Sequence, residues 1–139
     1  MPCLPINYEN LASASTTYDP SKPIYMLNLW KFKPTASYAP EHSALAGAPC
    51  TGKEALARYR AALRPLLPPN TAIFFASTPV TEVVAPKGET WDYAGINRYD
   101  SLEGFKKMVE CEEYKKEAEP HRLAGLEDFR LIVLDKLEV

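Results

Sequence analysis

Between Trp91 and Arg122 this chain concentrates side chains able to do chemistry. The stretch opens W-D-Y-A-G-I-N-R-Y-D-S-L-E-G-F-K-K-M, passes Tyr114 and ends on Pro120-His121-Arg122. Imidazole is the one side chain whose ordinary pKa lies near neutrality, so His121 suits general acid or base work at an enol or a phenol. A structural histidine that bonds a backbone carbonyl is the competing expectation. Arg122 carries forked donors that fit a carboxylate or enolate. Glu117, Glu119 and Asp128 are close enough in sequence to pair with it, which is the simpler expectation. Arg98 faces the same choice, with Asp92 or Asp100 as partner.

Other candidates lie upstream. Asn28 interrupts the apolar run I-Y-M-L-N-L-W-K-F (24–32). A buried carboxamide must find partners, so it is either tied to backbone or aimed into a pocket, where it would polarise a carbonyl. Tyr59 and Tyr114 can donate through their phenols while their rings pack on an aromatic ligand. Trp30, Phe74, Phe75 and Phe105 would add aromatic lining to a cavity under the helices, and all would serve an ordinary core equally well. The chain has no G-x-G-x-x-G, Walker loop, G-x-S-x-G or H-E-x-x-H. Cys3, Cys50 and Cys111 have no C-x-x-C spacing, and the two histidines are far apart, so neither a metal nor a cofactor is expected.

The elements that position these residues follow from periodicity. The 24–32 run is apolar on both faces and reads as a central strand. Leu56, Tyr59, Leu63 and Leu66 mark one helix from Lys53 to about Leu67, ended by Pro68-Pro69. Ala72–Ala85 reads as a second strand in which Pro79 suggests an edge or a bulge. A turn at Pro86-Lys87-Gly88-Glu89 leads into the Trp91 strand. Asp100-Ser101 caps a second helix carrying Leu102, Phe105, Met108 and Val109. Phe129–Val139 is the last strand. The order β-α-β-β-α-β predicts an α+β, ferredoxin-like fold: a four-stranded antiparallel sheet with two helices on one face. Residues 1–22, broken by prolines, read as an extended N-terminal arm, and 33–52 as a long loop able to close over a pocket.

Two helices cover one sheet face only. The other exposes Leu27 and Leu29, and a second copy of the chain is the cheapest cover, so a homodimer is expected. The net charge of -2 over 139 residues argues against a nucleic-acid partner. Arg58, Arg60 and Arg64 read as a solvated helix face. No apolar run approaches the roughly twenty residues of a membrane span. The start M-P-C-L-P lacks the pattern of a secretion signal, so the cytoplasm is the expected address.

M-L-N-L-W-K-F (26–32), Tyr59, Trp91-Asp92, Arg98-Tyr99-x-Ser101, Phe105, Met108, Tyr114 and His121-Arg122 together resemble the dimeric α/β-barrel superfamily, closest to a small branch of unknown function. The resemblance covers about residues 23–135 and implies a dimeric α/β-barrel domain over 23–139. Enzymes of the wider group include cofactor-independent cyclases, isomerases, dehydratases and quinone-forming monooxygenases, many with a pocket between sheet and helices. Fold kinship leaves the chemistry open. The first expectation is a cofactor-free enzyme acting on an aromatic or polyketide-like ring by proton transfer, through cyclisation, dehydration, isomerisation or decarboxylation. His121 would move the proton, Asn28 with Tyr59 or Tyr114 would hold the carbonyl oxygen, and Trp30, Phe105, Arg122 and Arg98 would bind. The alternatives are a cofactor-free quinone-forming monooxygenase and a non-enzymatic dimeric ligand-binding module.

Overall fold

The apolar run after Pro23 forms strand β1 (Ile24–Phe32), and its alternation organises the protein. Ile24, Met26, Asn28 and Trp30 are buried on one face, while Tyr25, Leu27 and Leu29 on the other are only partly covered. The computed structural model describes residues 3–139. Around β1 stand β2 (Ala72–Ser77), β3 (Tyr93–Tyr99) and β4 (Leu126–Leu134), in the order β2-β3-β1-β4. Every neighbouring pair is antiparallel. The helices are α1 (Tyr8–Thr17), α2 (Ser43–Ala46), α3 (Gly52–Leu63), α4 (Leu102–Glu110) and α5 (Glu119–Gly125). With α3 between β1 and β2 and α4 between β3 and β4, the arrangement is α+β and compatible with the ferredoxin-like order. Among the described residues no helix is long and apolar enough to cross a membrane.

Both main helices start where the sequence says they should. Thr51 and Glu54 form a reciprocal capping box at α3, with bonds of 2.8 and 3.1 Å. The Ser101 hydroxyl accepts from the Gly104 N–H at 3.0 Å to start α4. Leu56 and Tyr59 from α3 and Phe105, Met108 and Val109 from α4 pack with Ile24, Met26 and Trp30 in one core.

Several boundaries differ from expectation. The arm is not extended throughout: residues 8–17 are α1, capped by Asn7, with Leu11 buried in the core. The arm's first two residues lie outside the described range. Asn7 supplies the cap that the prolines seemed to deny. The 33–52 loop holds a short helical turn at Pro40–His42 and α2. The first helix is regular to Leu63 and tightens into a turn at Arg64–Leu66, since Pro65 cannot continue the helical ladder. The second strand stops at Ser77 because Pro79 cannot donate to β3. Its pairing slips between Ile73 and Phe75, and Phe74 and Phe75 are more than half exposed and do not line the cavity beneath the helices. The last strand begins at Leu126 and ends at Leu134.

α5 packs against α3 through bare backbone. A Cβ at Gly125 would stand 2.6 Å from the Gly52 carbonyl oxygen and press on the Leu56 side chain. Gly125→Ala should therefore destabilise the fold by about 1–3 kcal/mol. The check is a urea midpoint that falls with an unchanged slope.

Candidate functional site

Between the inner sheet face and the two main helices lies a cavity of about 490 Å³. Its floor is set by strand register. Met26 pairs with Asn97, Asn28 with Gly95 and Trp30 with Tyr93, so these side chains share one face of adjacent strands. At Gly95 a Cβ would collide with the Tyr93 phenol, so the glycine lets the Tyr93 ring lie across the backbone opposite Asn28. Trp30 and Tyr93 stack with ring centres 4.7 Å apart and a 30° tilt. Phe105 from α4 packs edge-on against Tyr99 at 5.2 Å and closes another wall.

Polar groups interrupt these walls. The Asn28 amide nitrogen donates to the Met26 carbonyl at 3.3 Å. Its oxygen has no partner among the described residues, and Asn28 lines the cavity. The Trp30 indole N–H is buried without an acceptor. The hydroxyls of Tyr59 and Tyr114 share a 3.0 Å hydrogen bond at the cavity wall. Burial, then the neighbouring Tyr114, pushes the Tyr59 pKa well above the ordinary phenol value. Burial likewise pushes Tyr99 up. Tyr59 and Tyr99 are therefore neutral donors at physiological pH.

Tyr114 owes its position to an irregular turn. Residues Tyr114–Ala118 form a wide helical turn in which the Glu119 N–H reaches back to the Tyr114 carbonyl. The turn hands over to α5, which carries His121 and Arg122. Arg122 is fully buried, its guanidinium carbon 4.8 Å from the Phe129 ring centre. One of its nitrogens donates to Glu119 at 3.0 Å; Nε and the other terminal nitrogen have no hydrogen-bond partner among the described residues. Burial opposes its charge, but Tyr114, Tyr59 and Glu119 hold its pKa above the ordinary value.

Five expected site residues line the cavity: Asn28, Tyr59, Tyr114, Trp30 and Phe105. Three do not. Arg98 points to the opposite sheet face and pairs with Asp100 at 2.7 Å, as its sequence neighbours suggested. Arg122 is bound to Glu119 behind Tyr114. His121 Nδ1 and the Tyr38 hydroxyl share a 2.6 Å hydrogen bond, and Arg58 donates to that hydroxyl at 3.5 Å. Arg58 also donates to the carbonyls of Ala46 and Ala48, at 2.6 and 3.0 Å. The imidazole thus staples the 33–52 loop to α5, and no residue of that loop lines the cavity. Asp92 holds backbone, accepting from the Phe32 N–H at 2.8 Å. Asn97, Tyr93, Arg60 and Arg64 line the cavity without having been singled out for it. The strand alternation that places Met26 and Asn28 inward could have found Asn97, the partner of Met26 across the β1–β3 pair. Among the described residues no His, Cys, Asp and Glu cluster is suited to hold a metal.

No family model and no curated protein matches this chain. A solved crystal structure does: that of a protein of unknown function from Rhodopseudomonas palustris, 30% identical, with a TM-score of 0.83 and 100% of both chains covered. A crystal structure of the methylated form of that protein matches at 30% identity and a TM-score of 0.81, over 99% of this chain and 98% of the other.

Burial, with the Arg58 charge adding to it, lowers the His121 pKa below its ordinary 6.5, and Glu117 opposes the shift. The unfolded chain therefore takes up the proton first. This contribution to stability is complete above pH 6.5 and is lost as the pH falls from there through the lower folded value. Denaturant midpoints should decline as the pH falls below about 6.5, and His121→Gln should flatten that slope.

Proposed function

We propose an activity for a chain that belongs to the same family as the Rhodopseudomonas palustris protein of unknown function. The protein is a small cofactor-independent enzyme that takes a flat aromatic or polyketide-like ring compound into the cavity beneath α3 and α4. Its chemistry is proton transfer linked to ring closure, dehydration, isomerisation or decarboxylation. The supporting observation is the lining: a 490 Å³ space with aromatic walls in which a carboxamide and a phenol pair interrupt an apolar surface. A few polar groups in an otherwise apolar cavity orient a ligand by one edge.

The roles change with the geometry. His121, tied to Tyr38 away from the cavity, is replaced by the Tyr59–Tyr114 pair as the group that donates a hydrogen bond to a developing enolate oxygen. Asn28 and the Trp30 N–H supply further donors to the same kind of oxygen. The proton would leave carbon toward a basic group of the substrate itself, because no imidazole or carboxylate lines the cavity. That last feature also favours a second reading, a ligand-binding module without turnover. Such a protein needs the walls and donors but no base.

A dimeric α/β barrel belongs to the same proposal. The outer sheet face carries Tyr25, Leu27 and Leu29, with Phe74 and Ile132 about half exposed. This apolar surface suits a second copy placed sheet to sheet.

Turnover can be sought with ring compounds bearing an enolisable ketone. Tyr114→Phe should slow the reaction by about 10²–10⁴-fold while the variant still folds. Full activity in that variant would remove the phenol pair from the mechanism, and binding without product would favour the module. Oxygen uptake during turnover would instead identify a quinone-forming monooxygenase. For the assembly, Leu27→Lys should convert a dimer to a folded monomer by light scattering, since it sets a charge in the apolar patch. A monomeric wild-type chain would end the dimer proposal.

A further inference from the structure

Among the described residues, two arginines at the cavity mouth have no counter-charge. Arg60 on α3 holds its guanidinium carbon 4.9 Å from the Trp30 ring centre and 5.2 Å from that of Tyr93. Arg64 follows one turn later and lines the same cavity. The other four arginines are occupied: Arg98, Arg122 and Arg130 by carboxylates, Arg58 by loop carbonyls. Among the described residues Arg60 and Arg64 make no ion pair. Among the described residues no Asp, Glu or Lys lines the cavity, and the formal charges on its lining are these two cations.

We infer that the ligand of this cavity is an aromatic carboxylic acid, held ring-inward, with its carboxylate at the mouth between Arg60 and Arg64. The inference rests on the cavity being the ligand site proposed above and adds the ligand's class. A solvated helix face would account for two arginines but would not lay one of them on a pair of cavity-lining rings. The helix dipole favours a cation in the last turn of α3, and this explains the residue type alone. A guanidinium parked on aromatic faces keeps its edge donors free, and their fork matches a carboxylate. Phosphate is a poorer fit. Phosphates collect at helix N-termini, whereas this mouth lies at the C-terminal end of α3, where backbone carbonyls repel a dianion.

The interior agrees with a ring that carries oxygen. The Trp30 N–H is buried with no acceptor, and the Asn28 carboxamide has unused capacity. A buried donor without a partner costs stability that a ring carbonyl or hydroxyl would restore. The recognised molecule therefore carries a carboxylate and, on the same flat apolar body, an oxygen function within reach of the Trp30 N–H or the Asn28 carboxamide.

Isothermal titration of the full chain with anthraquinone-2-carboxylate and its neutral analogue, anthraquinone-2-carboxamide, tests this. The carboxylate should bind about tenfold more tightly at low salt, and the margin should shrink as salt is added. Arg60→Gln and Arg64→Gln should each erode that preference while leaving carboxamide binding within about twofold. Equal binding of the two probes, or a preference that survives both substitutions, overturns the carboxylate site and leaves the aromatic cavity standing. Binding of neither probe overturns both.

Discussion

Strand β1 has two apolar faces, and this chain provides a full cover for only one. Met26, Asn28 and Trp30 point toward α3 and α4, while Tyr25, Leu27 and Leu29 point away. Because side chains alternate along a strand, slipping β1 by one residue would exchange the two sets and place Asn28 on the open side. Pairing with β3 and β4 on both edges holds the register. The cavity floor, the apolar outer surface and the place of the carboxamide all follow from that one alternation.

The cavity persists because its walls are large and braced from behind. Tyr59 and Tyr114 hold each other by a hydrogen bond, and Arg122 lies behind them, fully buried. A buried cation with one partly exposed carboxylate partner is an expensive arrangement to keep. Phe129 beneath its guanidinium and the wide turn at Tyr114–Ala118 make it tolerable. Irregular helical turns of this kind accumulate where a side chain must be aimed rather than merely packed. Here the aimed side chain is Tyr114.

The fold therefore holds two separate polar centres. One surrounds the cavity and is built from neutral donors with arginines at its entrance. The other joins Tyr38, His121 and Arg58 and fastens the 33–52 loop. The second contains His121, whose pKa burial holds below its ordinary 6.5. Acidification below that value thus acts on the loop attachment, while the Tyr59 and Tyr99 donors keep their protons. The same separation explains why the reaction proposed for the cavity relies on phenols and an amide.

Element order was readable from local pattern, because period and capping are properties of neighbours along the chain. The two-residue alternation of β1, the stripe on α3 and the Ser101 cap needed no knowledge of contacts. The ion pairs of Arg98 and Arg122 were legible for the same reason, each partner lying two or three residues away. The Asn7 cap that makes α1 was equally local, yet nearby prolines masked it. What local pattern did not contain was the destination of His121. A histidine and an arginine adjacent in sequence point about 100° apart on a helix, so one met a loop tyrosine and the other met the core. Nor did it contain the neighbours of Arg60, which looked solvated on its own helix and came to rest over rings from two strands. Those encounters join residues far apart in the chain, and only the packing of helix on sheet brings them together.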